Sequence, residues 1–256
     1  MDLGAAGLVQ KPAGILMHPQ LPLGIGLLDS ARFGSFYPGP NAEVVDSLKH
    51  CAGGAGERFI YVCGDHGLGK SHLLQSVCHH ATQAGYAAAY LPLEHSADMS
   101  TAWLDGLDEL DLVCIDDVQM IAGKREWELA LFNLYNRIRN GEGRLVVSGL
   151  QRPPNAGIEL PDLVSRLSWG LIYPLNVMND EQRLIALQMR ARVRGLDLPA
   201  EAGNYLLRRS SRDMPALFSL MEQLDHASLA AQRRLTIPFV KSVLARIDGR
   251  KPAEGQ

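Results

Sequence analysis

The chain has 256 residues, 46% of them hydrophobic, and 25 Lys and Arg against 28 Asp and Glu leave a net charge of −3. That length suits one α/β domain with a small helical appendage and crowds two large domains. The slightly acidic balance excludes the broad basic field of an autonomous DNA-binding protein, so nucleic acid would be met weakly or through a partner.

Cys51, Cys63, Cys78 and Cys114 form no C-x-x-C pair, which argues against a disulfide framework. His79 and His80 are adjacent and point about 100° apart on a helix, so they do not make a metal-binding face. No apolar run reaches the roughly 18 residues of a membrane span, and MDLGAAGLVQKPAGILMHP lacks the layout of a secretory signal. A cytoplasmic protein is expected, with no membrane partner.

Residues 1–32 open with small, apolar, Gly- and Pro-punctuated sequence and are expected to be a flexible segment. From Phe59 the pattern becomes regular. Phe59-Ile60-Tyr61-Val62-Cys63 reads as a strand buried on both faces and ends at Gly64. A helix over 71–84 follows, with Leu73, Leu74, Val77, Cys78 and Ala81 on one stripe and Gly85 as its stop. Further strands are expected over 87–93, 112–115, 145–147 and 171–173, with a helix over 126–140. Strands alternating with helices predict a five-stranded parallel sheet with right-handed crossovers, here over 33–176. From 177 to 248 the pattern is helical only, with helices expected over 180–194, 199–209, 213–232 and 238–246. Asp180 and Thr236 are their expected caps. Residues 249–256 read as a disordered tail.

Gly64-Asp65-His66-Gly67-Leu68-Gly69-Lys70-Ser71 matches G-x-x-x-x-G-K-[ST] between an expected strand and helix. Glycines at 64, 67 and 69 let the backbone curl so that successive N–H groups face one anion, and the helix N-terminus adds its partial positive charge. Lys70 would reach the β- and γ-phosphates of ADP or ATP, and the Ser71 hydroxyl would complete a Mg²⁺ shell. Leu112-Val113-Cys114-Ile115-Asp116-Asp117 supplies the acidic half. Asp116 is placed to hold Mg²⁺ through water, and Asp117 to orient an attacking water.

Several longer blocks resemble the bacterial replication initiator family, the DnaA branch of the AAA+ proteins, over roughly residues 33–247. These are the segment 33–41 with Phe36-Tyr37-Pro38, Gly67-Leu68-Gly69-Lys70-Ser71-His72-Leu73-Leu74, Ile115-Asp116-Asp117-Val118-Gln119, Ala122-Gly123-Lys124, and Leu131-Phe132-Asn133-Leu134-Tyr135-Asn136. The resemblance implies an AAA+ nucleotide-binding subdomain followed by a helical lid. It also implies that Phe36, Tyr37 and Pro38 wrap the adenine and that Leu68 and His72 line the nucleotide. By itself Arg166 would be read as a helix-end ion pair. Within Ser165-Arg166-Leu167-Ser168-Trp169-Gly170, similar to the family's arginine-finger block, it would act in trans on a neighbour's nucleotide. Ser211-Arg212-Asp213-Met214 resembles the sensor 2 block, which would put Arg212 over the γ-phosphate. After the fourth strand the family carries a small polar residue with Asp or Asn, whereas this chain reads Ser148-Gly149-Leu150-Gln151. Weak or absent hydrolysis of its own ATP is therefore expected.

An initiator continues past the lid into a helix-turn-helix DNA-binding domain, and this chain ends soon after 236–241, which resembles the end of a lid. At the other end, Gln20-Leu21-Pro22-Leu23-Gly24-Ile25 resembles peptides that dock on the bacterial sliding clamp, the β subunit of DNA polymerase III. In such peptides alternate apolar side chains, here Leu21 and Leu23, fill a groove while Gln20 bonds at its rim. The combination resembles the regulatory, initiator-inactivating members of the family. It implies a nucleotide-bound negative regulator of chromosomal replication that docks on DNA-loaded clamp and promotes hydrolysis of DnaA-bound ATP through Arg166. DNA would be contacted through the clamp, which would associate the protein with the nucleoid, and a second copy of the chain is a further candidate partner. Two alternatives stand beside it: a helicase loader hydrolysing its own ATP, and a nucleotide kinase with the same phosphate loop.

Overall fold

The computed structural model describes residue 27, residues 31–209 and residues 213–247. Five apolar runs, β1 (Phe59–Cys63), β2 (Ala88–Pro92), β3 (Leu112–Asp116), β4 (Arg144–Gly149) and β5 (Leu171–Pro174), form one parallel sheet ordered β2-β3-β4-β1-β5. Register pairs Cys63 with Gly149, Ile115 with Val147 and Pro92 with Asp116. The central strands are apolar along their middles, with polar residues at their ends (Asp116 in β3, Arg144 and Ser148 in β4), because both faces are covered.

Alternation along each strand divides the core into two layers. Ile60, Val62, Cys114 and Val146 face α1 (Ala42–Ala52) and α2 (Lys70–Gln83), meeting Val45, Leu48, Leu73, Leu74 and Val77. Tyr61, Val113, Ile115, Leu145 and Val147 face α3 (Arg125–Asn140) and α4 (Pro161–Leu167), meeting Leu131, Leu134, Ile138 and Leu163. Helices α5 (Asp180–Val193), α6 (Ala200–Arg209), α7 (Met214–Ala231) and α8 (Ile237–Ile247) enclose a separate core of Leu187, Leu206, Leu217, Leu224 and Val240. Arg194 ties α5 to α7 through Glu222 at 2.6 Å and Asp225 at 3.2 Å.

The sheet and the helical lid agree with the sequence expectation, and three local features differ from it or add to it. Helix α1 is not among the expected elements, and α4, which the helix-end reading of Arg166 implies without bounds, is only seven residues long, too short for a stripe to show. The cap of α5 is Asn179 rather than Asp180. Asn179 Oδ1 accepts from Gln182 N and Gln182 Oε1 accepts from Asn179 N, each at 2.9 Å, a reciprocal capping box. Asp180 lies one residue inside and pairs with Arg183 at 2.7 Å.

Two side chains satisfy backbone groups that would otherwise be orphaned. Arg58 donates to the carbonyls of Ile138, Gly141 and Gly143 and so closes the C-terminal end of α3. Glu128, 1% exposed in the first turn of α3, accepts from Gly123 N at 2.8 Å, Glu159 N at 3.0 Å and Leu160 N at 2.8 Å. One buried carboxylate thereby joins the entry of α3 to the entry of α4, where the helix macrodipole also favours a negative charge. Glu128→Ala leaves three part-buried backbone N–H donors without this acceptor and is expected to lower unfolding free energy by about 1–3 kcal/mol. Urea unfolding checks this, and a loss within error of zero would show that water replaces the carboxylate.

Candidate functional site

The phosphate loop leaves the end of β1 and turns directly into α2. Gly64, Gly67 and Gly69 have φ of 152°, 79° and 94°, which side chains rarely adopt. Two of them also need the space. A Cβ on Gly69 would lie 2.7 Å from Phe36 Cε2, and one on Gly67 would lie 2.5 Å from Asp213 Oδ1. Phe36 and the first residue before α7 thus close on the loop from opposite sides. Lys70 is buried, and its Nζ donates to the carbonyls of Gly64 at 2.8 Å and Asp65 at 3.1 Å. Ser71 follows in the first turn of α2, among amides that have no helical acceptor.

Across the end of β4 stand the two aspartates. The Tyr90 hydroxyl donates to Asp116 Oδ2 at 2.7 Å, and the Ser148 hydroxyl donates to Asp116 Oδ1. Burial, with the Asp116 charge beside it, pushes the Tyr90 hydroxyl well above its ordinary range. Asp117 adopts a left-handed conformation, φ 59°, with its N–H on Ser148 Oγ at 2.9 Å. Gln119 bridges onward: its Nε2 donates to Asp117 Oδ1 at 2.9 Å and its Oε1 accepts from Leu150 N at 3.1 Å. The Tyr61 hydroxyl donates to Gln151 O at 2.9 Å. These residues fit a bound nucleotide and Mg²⁺: a curled amide cradle, a cation at its rim, and a hydroxyl and a fixed carboxylate for the metal.

The segment before α1 links base side, phosphate side and lid. His72, one residue past Ser71, donates from Nε2 to Arg32 O at 3.0 Å and lies 3.3 Å from Ser35 Oγ. Its ring is 5.7 Å from that of Phe36. Tyr37 packs on the lid core, and Pro38 leads into the turn Gly39–Asn41. Asn41 exchanges bonds with Asn176 N at 2.7 Å and Asn176 O at 3.1 Å, pinning this segment to the exit of β5. From α5, Arg190 lies over Phe218, and its buried Nε has no protein acceptor.

Arg166 sits elsewhere. It is on α4, half-buried beside Phe59, Tyr135 and Gly170, at the start of β1. The phosphate loop leaves the other end of that five-residue strand, roughly 16 Å away. Trp169 is 56% exposed next to it, with the Arg139 guanidinium 3.6 Å and that of Arg166 5.7 Å from the ring centroid.

Residues 28–174 match the family model described as the bacterial DnaA ATPase domain. The chain belongs to the DnaA-related AAA+ family. Residues 180–244 match the model described as the lid domain of Hda. Among solved structures, domain III of the Thermotoga maritima replication initiation protein DnaA is similar at 23% identity, with a TM-score of 0.76, covering 89% of this chain and all of that one. AMPPCP-bound DnaA from Aquifex aeolicus is similar at 23% identity and a TM-score of 0.62, over 77% and 66% of the two chains. The RuvB branch migration motor of Thermotoga maritima shares the fold at 14% identity and a TM-score of 0.63, over 84% and 73%. An ATPase domain of this family implies nucleotide binding, and joined to an Hda-type lid it implies a role in regulating DnaA. Among the described residues no helix is long and apolar enough to cross a membrane.

Of the expected site residues, Phe36, Gly64, Gly67, Leu68, Gly69, Lys70, Ser71, His72, Asp116 and Asp117 lie along the phosphate loop, the base segment and the adjoining ends of β3 and β4. Arg166 lies apart from them. Gln20, Leu21 and Leu23, and Arg212, fall outside the described residues. Sequence reading missed Tyr61, Tyr90 and Arg190, which reach the site across strands or from the lid and belong to no local motif.

Burial holds the His72 pKa below its ordinary 6.5; the Arg190 charge adds to this and the bond to Arg32 opposes it. A depressed folded-state pKa means that the stability His72 contributes is present above 6.5 and lost as pH falls below it. The thermal midpoint should therefore drop from pH 6.5 to about 5 more steeply in the wild type than in His72→Gln, whose amide can donate to the same carbonyl. Parallel curves would show that His72 carries no proton linkage.

Proposed function

We propose that this protein is a nucleotide-bound negative regulator of replication initiation, acting on the ATP held by DnaA. Its own cleft holds ADP or ATP, with Gly64, Gly67, Leu68, Gly69 and Lys70 around the phosphates and Phe36, Tyr37, Pro38 and His72 on the base side. Arg212 would cover the γ-phosphate from the lid. Ser71 and Asp116 would hold Mg²⁺, which neutralises phosphate charge, and Asp117 would orient water. That bound nucleotide steadies the junction of sheet and lid.

The observation that carries the proposal is the position of Arg166, at the opposite end of β1 from the chain's own phosphate loop, beside a half-exposed tryptophan. An arginine there is too far to serve its own nucleotide, which supports a role on a partner's. In the DnaA site, water attacks the γ-phosphorus, the bond to the β-phosphate oxygen breaks, and ADP and phosphate form. A guanidinium on the equatorial oxygens would stabilise the charge spread over them, an effect worth about 10³–10⁵ in rate. Gln20, Leu21 and Leu23 would dock on the β clamp, so that the protein acts where DNA-loaded clamp is present.

Mixing the protein with ATP-loaded DnaA and DNA-loaded clamp should convert bound ATP to ADP, and removing the clamp should stop it. Arg166→Ala should abolish conversion while retaining clamp pull-down and nucleotide binding. Gln20→Ala should lose clamp pull-down and with it the clamp-dependent conversion while retaining nucleotide binding, and Lys70→Ala should weaken nucleotide binding about tenfold or more. No stimulation with clamp and nucleotide both bound would retire the proposal in favour of a loader that uses its own ATP.

A further inference from the structure

We propose that Arg190 of the lid is a nucleotide-binding residue, its guanidinium donating to the phosphate nearest the sugar and base in the chain's own cleft. The inference rests on the reading that this cleft holds ADP or ATP. It concerns neither the partner's nucleotide nor hydrolysis.

Three elements fix where the guanidinium stands. On α7, Pro215 rests on the phosphate loop, its Cδ 3.0 Å from where a Cβ on Gly67 would lie. Phe218 and Glu222 follow Pro215 at spacings of three and four residues and so continue the same helix face. Arg190 reaches onto that face from α5, with Cζ 5.6 Å from the Phe218 ring centroid and Nη2 3.8 Å from Glu222 Oε1. Phe218 is about 4.5 Å along the axis from Pro215, so the guanidinium lies within roughly one turn of the loop contact. On α2, the His72 ring feels the Arg190 charge. Helix α5 also packs against the turn Phe33–Ser35, which leads into Phe36. Lid, base segment and phosphate-loop helix therefore converge on this one side chain.

The chain does not balance its charge. The Arg190 side chain is 14% exposed, and its buried Nε has no acceptor among the described residues. Glu222 Oε1 is shared, and it lies closer to Arg194, at 2.6 Å, which also takes Asp225 at 3.2 Å. Burial, and then the Arg194 charge, hold the Arg190 pKa below its ordinary value, while Glu222 opposes them. A buried cation with an idle donor is costly until an anion meets it.

The first turn of α2 indicates which anion. Leu73 N is bonded to Gly69 O, so the amides of Lys70, Ser71 and His72 precede the first helical bond and face the phosphates. His72 is the last of the three. It is also the one tied to the base segment, through Arg32 O at 3.0 Å and the Phe36 ring at 5.7 Å. Lys70 and Ser71 serve the outer phosphates and the metal. The His72 end of the cradle is left for the α-phosphate, and there Arg190 supplies from the lid what the loop supplies only as amides.

ADP and ATP binding to the full chain, with the thermal midpoint of the nucleotide-free protein, tests this in wild type, Lys70→Ala and three variants of Arg190. Methionine keeps apolar fill beside Phe218 and removes the charge. Arg190→Met should weaken ADP and ATP alike, about tenfold or more, because both carry the α-phosphate. Its nucleotide-free midpoint should equal or exceed that of the wild type, since an under-paired buried charge is gone. Arg190→Lys, which keeps the charge, should retain more affinity than Arg190→Gln. Unchanged ADP affinity in Arg190→Met, with Lys70→Ala weakened, overturns this inference alone. A folded wild type that binds neither nucleotide overturns the cleft reading as well. A loss confined to ATP would put Arg190 at the γ-phosphate, and equal losses with lysine and glutamine would put a neutral acceptor beside it; either overturns the proposal. So does a midpoint several degrees lower in Arg190→Met, which would make the residue a structural tie. Should the methionine variant not fold, Arg190→Gln carries the same expected loss, and its absence there is equally decisive.

Discussion

The Asp116 carboxylate is buried at the end of β3 and has both oxygens bonded, one to Tyr90 on β2 and one to Ser148 on β4. A buried charge is tolerable only when its lone pairs are satisfied, so these two hydroxyls are what permit an aspartate there at all. In satisfying it they also bring three strands into register at one end of the sheet. Ser148 then presents its oxygen to Asp117 N, and Asp117 takes the left-handed conformation with Gln119 donating to its Oδ1. Without that carboxylate the sheet would keep its apolar core but lose the fixed arrangement that a nucleotide and its metal need.

Much of this was legible in the sequence, for identifiable reasons. The phosphate loop and the aspartate pair are local motifs with strand context, and their chemistry depends on neighbours within about eight residues. The sheet was legible because strands buried on both faces are apolar without interruption. What escaped depends on distant residues. Tyr61 and Gly149 are read as an ordinary strand residue and an odd glycine, and only the pairing of β1 with β4 turns them into one steric unit, in which a Cβ at 149 would meet the Tyr61 hydroxyl. Glu128 sits in a helical stripe like any surface glutamate, yet its partners lie on the approach to α4. The cap of α5 was misplaced by one residue because Asn179 and Asp180 are both good caps, and only Gln182 three residues after Asn179 distinguishes them.

Among the described residues, sheet and lid meet at specific contacts near the phosphate loop. Asp213 and Pro215 rest on Gly67, and Tyr37 reaches the lid core. His72, between Ser71 and the base segment, feels the charge of Arg190 on α5. A ligand in the cleft would touch all three parts, so its affinity and the lid position are linked by common contacts.

The stack of Arg139 on Trp169 has an optical consequence. The chain contains three tryptophans, Trp103, Trp127 and Trp169. Trp127 is buried and Trp103 packs against the sheet core, while Trp169 alone of the three stands more than half in solvent. Indole emission depends on local polarity and on nearby charge, so long-wavelength fluorescence from this protein would come mainly from the ring beside Arg166. Any macromolecule covering that face would dry the indole or displace the guanidinium above it. The protein thus carries a native spectroscopic reporter on the surface that presents Arg139 and Arg166.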